Sequence, residues 1–149
     1  MPRRLGPVEH NAWRGFARMR ERLYGRVSRD LQAESCLSVG DYRVLVRLAE
    51  APEGRMRSSD LARSVEWEPS RMSHQVSRMA KRGLVCREGY VDGGRRAFVV
   101  ITQEGRRAIA EAAPRHVETV RRLFLDLLTP EELDALCRIS RRVLEQLEK

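Results

Sequence analysis

The sequence predicts a mainly α-helical chain with one small β-hairpin past its middle. Three observations carry that expectation. Apolar residues recur at intervals of three and four through most of the 149 residues, the spacing of amphipathic helices. Two short runs, Leu84 to Glu88 and Ala97 to Ile101, are instead rich in Val, Phe and Ile and flank an Asp92-Gly93-Gly94 turn, which reads as a hairpin. Start and stop signals divide the rest into six helices.

Residues 1–7 read as a tail. Residues 8–31 place Val8, Trp13, Phe16, Leu23, Val27 and Leu31 on one stripe; Gly15 and Gly25 weaken that helix by about 1 kcal/mol each relative to alanine. Ser38, with Asp41 three residues on, opens a second helix through Val39, Tyr42, Leu45, Val46 and Leu48, which stops before Pro52-Glu53-Gly54. Arg55-Met56-Arg57 is too short to assign alone. Ser58 or Ser59 caps a short third helix, Asp60 to Val65. Pro69 suits the first turn of a fourth, and Gly83 stops it. After the hairpin, Thr102 caps a fifth helix that runs to about Leu128, with Pro114 expected to kink or interrupt it. Thr129-Pro130-Glu131-Glu132 is a full capping box for the last helix, whose inward residues are Leu133, Leu136, Val143, Leu144 and Leu147.

At 42% hydrophobic and 34% charged, the chain reads as a soluble globular protein rather than a disordered one. No apolar run approaches the roughly 20 residues that span a bilayer, and no apolar segment follows the basic N-terminus to make a secretory signal. Cys36, Cys86 and Cys137 are far apart and form no C-x-x-C, which fits a reducing cytoplasm and argues against a zinc knuckle. His10, His74 and His116 lie in no catalytic motif, and no Gly-rich phosphate loop is present. Neither an enzyme nor a cofactor is expected. The net charge of +8, with 29 basic against 21 acidic residues, favours a polyanionic partner. All the basic residues but Lys81 and Lys149 are arginine, a bias that suits phosphate and guanine recognition and that a GC-rich genome would also produce.

Residues 38–101 therefore run helix, short helix, turn, helix, hairpin, the order of a winged helix-turn-helix. Projected at about 100° per residue, the fourth helix puts Met72, Val76, Met79 and Ala80 on one side. Ser70, Arg71, His74, Ser77, Arg78 and Lys81 fall on the other, with Gln75 and Arg82 at the margin. The outward face carries no acid. An ordinary solvated face mixes signs; an acid-free one suits phosphates and base edges. The expected contacts with double-stranded DNA are Ser58, Ser70, Arg71, Ser73, His74, Gln75, Ser77, Arg78 and Lys81, with Arg95 and Arg96 at the hairpin tip reaching a minor groove. Beside an enzyme, the competing class, a third class is a basic adaptor for RNA or an acidic protein, although RNA favours exposed aromatic platforms and aromatics are only 5% of this chain.

The start S-x-x-L-A of the short helix, the R-G-L-V-x-R that ends the fourth, and the V-x-I-T-x-x-G after the hairpin together resemble the MarR family of winged-helix transcription regulators. The resemblance covers about 70 residues at the centre, and the flanking helices extend it over nearly the whole chain. It implies a homodimer with the first and last helices interleaved, a pseudo-palindromic operator, and relief of repression by a small aromatic or anionic ligand. The helices in 8–37 and 102–149 then become dimerisation helices around the DNA-binding lobe, and the apolar stripes at both chain ends support that independently. The resemblance puts Arg95 at the family's wing arginine, whereas Asp92 lies three residues before it, one more than the family spacing. For the effector, His10, Trp13, Arg14 and Phe16 of the first helix and Tyr42 and Arg43 of the second are the candidates, an aromatic wall with a cation. Urate is not supported, because Arg43 stands where an acid is expected. An alternative is redox control through Cys36, although peroxide-sensing members carry their cysteine near the start of the first helix.

Overall fold

The structure, a computed structural model, describes residues 1–89 and 98–149. Its helices are α1 (Pro7–Ser35), α2 (Val39–Glu50), α3 (Ser58–Ser64), α4 (Pro69–Lys81), α5 (Gln103–Leu123) and α6 (Pro130–Leu147); its strands are β1 (Arg55–Arg57), β2 (Val85–Glu88) and β3 (Phe98–Ile101). The chain divides into two compact units, residues 28–115 and residues 1–27 with 116–149.

The first unit holds every fully buried apolar side chain among the described residues, from Leu31 to Ala112. Leu45, Leu48, Leu61, Met72, Val76, Met79 and Val99 fill its centre. α2 begins with a complete capping box: the Asp41 N–H donates to Ser38 Oγ at 3.0 Å and the Ser38 N–H to Asp41 Oδ2 at 2.9 Å. The turn between α3 and α4 closes with two bonds. Trp67 N–H donates to Ala62 C=O and Glu66 N–H to Arg63 C=O, with Glu66 left-handed at φ 58°. This is the double-bonded helix end usually occupied by glycine. α4 ends the same way on Gly83, φ 76°, with Leu84 N–H on Met79 C=O and Gly83 N–H on Ala80 C=O.

The sheet has three antiparallel strands in the order β1-β3-β2. β1 is the strand that sequence reasoning did not assign. It forms because Arg55, Met56 and Arg57 pair with Val100, Val99 and Phe98, partners about 40 residues away that no local pattern reveals. Residues 90–97, on which the expected turn with Asp92, Arg95 and Arg96 falls, lie outside the described residues.

Two expectations about the long helices are corrected. α1 extends to Ser35, because the Ser35 hydroxyl bonds Leu31 C=O and Cys36 closes the helix at φ 58° with its N–H on Gln32 C=O. α5 passes through Pro114 without interruption; proline removes one N–H donor there, and the helix is carried by its neighbours. It stops at Leu123 rather than near Leu128, where a 3-10 turn, Leu125–Leu127, takes over.

The second unit has a different character. Among its described residues no apolar side chain is fully buried. Leu5, Val8, Trp13, Phe16, Met19, Tyr24, Val117, Leu127, Ile139, Val143, Leu144 and Leu147 are all exposed. Its helices are nonetheless well begun: Thr129 and Glu132 form the expected capping box at α6, and Glu9 accepts from Gly6 N–H before α1.

The start of α5 locks onto the end of α4. Thr102 Oγ donates to Gly83 C=O at 2.6 Å and accepts from Gly105 N–H at 3.0 Å. A Cβ at Gly105 would lie 2.1 Å from the Leu84 carbonyl oxygen, a backbone atom that cannot swing away. Gly105→Ala is therefore expected to lower the unfolding free energy by about 3 kcal/mol, measured from the urea midpoint; a loss below about 0.5 kcal/mol would show that the two segments separate freely.

Candidate nucleic-acid interface

α4 meets the core through Met72, Val76 and Met79, each no more than 1% exposed. The opposite face is set by that anchoring. Ser70, Arg71, Ser73, His74, Ser77, Arg78 and Lys81 are all exposed, and no carboxylate stands among them. Two cations, Arg78 and Lys81, lie in the last turn, where they complement the helix dipole.

Several of these side chains are held rather than loose. The Arg71 guanidinium lies over the Trp67 ring, 4.3 Å from its centroid, and Arg43 approaches the same ring at 5.7 Å. Trp67 is buried in the turn before α4, so the indole offers its face to two cations. Arg87 on β2 donates to Ser73 C=O at 2.8 Å and to Ser77 Oγ at 3.1 Å. That arginine stands in the R-G-L-V-x-R motif, yet it was not among the expected contacts. Its partners are backbone and hydroxyl oxygens of α4, a relation visible only once β2 folds back.

Gln75 departs from expectation. It is 7% exposed and is turned inward. Its Nε2 donates to Asp41 Oδ1 at 2.6 Å, and its Oε1 accepts from Arg78 Nη2 at 3.1 Å. Asp41, itself 4% exposed, also accepts from Arg82 Nη1 at 2.6 Å, and Arg82 Nη2 reaches the Cys36 carbonyl at 2.7 Å. A buried carboxylate is tolerated only when ionic and hydrogen-bonding partners replace water. Asp41 has a cation, an amide and a backbone N–H. Gln75 belongs to this scaffold and not to the outward face.

Around the sheet, Ser58 is half-buried at the first position of α3. Arg55 and Arg57 bracket the Phe98 ring at 4.3 and 5.2 Å, and Arg55 pairs with Glu88 at 3.6 Å. Neither arginine was among the expected contacts, and both are placed by β1.

The effector candidates fall in both units. Trp13 and Phe16 are exposed on α1 with ring centroids 6.0 Å apart, and Trp13 and Arg14 line a groove with Asn11, Ala17, Arg18 and Glu21. His10 is exposed one turn earlier. In residues 28–115, Tyr42 packs on the core; burial, and then the Glu50 carboxylate, push its phenol above the usual value. Arg43 donates to Val65 C=O at 3.0 Å, so its head group already braces the helix-turn-helix. Among the described residues no group of three or more His, Cys, Asp or Glu is placed to hold a metal, and no helix is long and apolar enough to cross a membrane. Cys36 and Cys137 are exposed and Cys86 half-buried, all three as free thiols.

No protein-family model matches the chain, and no curated protein does. Solved structures do. AbsC, a MarR family transcriptional regulator from Streptomyces coelicolor, is 39% identical over 99% of both chains, with a TM-score of 0.92. Sco3205, a MarR family transcriptional regulator from the same organism solved in complex with DNA, is 36% identical over 100% of this chain and 93% of its own, with a TM-score of 0.94. CouR from Rhodococcus jostii RHA1, solved with p-coumaroyl-CoA, is 26% identical over 88% of this chain and 87% of its own, at a TM-score of 0.68.

The Asp41 site makes a stability prediction. Arg82→Met keeps the aliphatic stem and removes the cation. The Arg82 side chain is 42% exposed, so water moderates the effect, and Gln75 and Ser38 still serve Asp41. The variant is expected to lose about 2 kcal/mol, read as a lower urea midpoint. An unchanged midpoint would mean that solvent replaces the guanidinium without loss.

Proposed function

The chain belongs to the MarR family of transcriptional regulators, and we propose that it is a homodimeric repressor that binds a pseudo-palindromic duplex operator through α4. As a member of a family of regulators it is not an enzyme. The observation that carries the reading is the acid-free face of α4, with Ser70, Arg71, Ser73, His74, Ser77, Arg78 and Lys81 exposed on a helix braced from behind. A cationic and hydroxylic face on a second helix of a helix-turn-helix fits the major groove, where arginine bonds guanine O6 and N7. The hairpin with Arg95 and Arg96 fits the adjacent minor groove, where guanidinium groups are favoured. The 36% identity to a regulator solved with DNA supports the same reading.

The partner for the second unit is a second copy of this chain. All the large exposed apolar side chains among the described residues lie in residues 1–27 and 116–149. A surface so apolar signals an interface, and a two-fold arrangement would set two α4 helices about one DNA turn apart. The occupant of the α1 site is a small aromatic or anionic effector that Trp13, Phe16 and Arg14 would receive, with His10 as a further candidate; a relative solved with p-coumaroyl-CoA points the same way. A panel of aromatic carboxylates and their thioesters, tested for release of bound DNA, decides that point.

Selection of bound duplexes from a randomised pool tests the main reading. A palindromic consensus with half-sites about 10 base pairs apart is expected; recovery of unrelated sequences would sink it. On the selected duplex, Arg71→Ala or Arg78→Ala should cost on the order of 1–3 kcal/mol if the side chain reads a base. Equal losses on selected and scrambled duplexes would assign a phosphate contact instead. In sedimentation the chain should run at twice its mass, and Leu144→Asp should return it to a monomer with weak DNA binding. A wild-type monomer would refute the dimer.

A further inference from the structure

We propose that Gln75 is a positioning residue: it sets the Arg78 guanidinium in place on α4, and Asp41 dictates which way its amide points. The inference rests on α4 being the DNA-reading helix and names a residue that determines how well it discriminates.

The chemistry leaves one orientation open. An ionised carboxylate accepts and cannot donate. Asp41 Oδ1 lies 2.6 Å from the Gln75 amide nitrogen, so the amide must turn its NH2 inward. Its carbonyl then points the other way, toward the outer face. A guanidinium only donates, and Arg78, three residues on along the same helix, finds that carbonyl at 3.1 Å. One arginine donor is thereby occupied and the rest of the head group is directed outward. Asp41 is itself pinned by Arg82 at 2.6 Å and by the Ser38 N–H at 2.9 Å. The order of fixation runs from the capping box of α2, through the buried amide, to an exposed cation.

Gly40 supplies an independent sign that the amide is given a defined seat. A Cβ there would lie 3.1 Å from Gln75 Oε1 and 3.2 Å from Trp67 Cη2. Any larger residue crowds the oxygen that Arg78 uses. An arginine with a fixed head group loses less side-chain entropy when it meets a base than a free one does, and fixation rewards only the sequence whose acceptors match. Gln75 therefore acts on discrimination between sequences rather than on attraction to DNA in general.

The test measures the ratio of affinities for the selected duplex and a scrambled duplex of equal length and composition. Gln75→Met, Arg78→Ala and the double variant are compared with the wild type. Gln75→Met is expected to reduce the ratio about tenfold, and the double variant no further than Arg78→Ala alone. Losses that add, or an unchanged ratio in Gln75→Met, overturn the inference. Because Gln75→Met leaves Asp41 short of a donor and folding can suffer, Gly40→Ala is the second variant. It retains Asp41, Gln75 and Arg78 and is expected to lower the ratio about threefold; because its Cβ also presses on the Trp67 ring, the melting temperature is read beside the ratio, the helix preference of alanine offsetting part of any loss. An unchanged ratio in Gly40→Ala counts against the proposal whether or not Gln75→Met folds. A wild type that prefers no duplex overturns the assignment of α4, and this inference with it; a wild type that discriminates beside variants that discriminate equally overturns this inference alone.

Discussion

A carboxylate taken out of water must be met on every side, and the way Asp41 is met organises the lobe. Its backbone and side chain close the first turn of α2; its oxygens then recruit Gln75 from α4 and Arg82 from the cap that ends it. Arg82 continues to the carbonyl of Cys36, where the chain turns left-handed between α1 and α2. The end of α4, more than 30 residues away in sequence, is thus tied to the start of α2 and to the turn before it through one buried charge. Apolar packing alone would let α4 roll or slide by small amounts, since Met72 and Met79 are adaptable side chains. Directional bonds to one fixed anion remove that freedom.

The arginines divide into two kinds on this basis. Arg82, Arg43 and Arg87 turn toward carbonyls and carboxylates of the lobe itself. Arg71 and Arg78 meet an indole face and an amide oxygen and stay exposed. A planar, multi-donor head group serves both purposes. Lysine could not brace Val65 C=O and face Trp67 at once as Arg43 does. The arginine bias thus has a structural use inside this chain, whatever the base composition of its genome.

Most of the helices were legible because their signals are local. The capping boxes at Ser38 and Thr129, Pro69 at the first turn of α4 and Gly83 at its end can be read from a few residues each, and all are present. The outward face of α4 was legible from its period, with one error. Gln75 sits at the margin of that projection, and a margin position is decided by what lies opposite it. Its partner Asp41 is 34 residues away, beyond the reach of periodicity. β1 was missed for the same reason, since a three-residue strand is made by its neighbours. Pro114 does not interrupt α5, since a helix breaker by propensity is tolerated where long flanking turns hold the helix together. The apolar stripes of 8–31 and 130–147 are only partly buried by the chain alone: Leu31 is in the core, while Val8, Trp13, Phe16, Val143, Leu144 and Leu147 stay exposed.

The two tryptophans have a practical consequence. Trp13 is exposed in the unit that contains both chain ends, whereas Trp67 is buried between the helices of the other unit under two guanidinium groups. Each unit therefore carries its own intrinsic fluorophore, in contrasting surroundings. In a single chain Trp13 emission is open to aqueous quenchers, and a second copy seated on that face would shield it, whereas Trp67 emission is shielded within its own unit. Replacing either ring by phenylalanine leaves a single-colour reporter of one half of the molecule, with no dye and no added label.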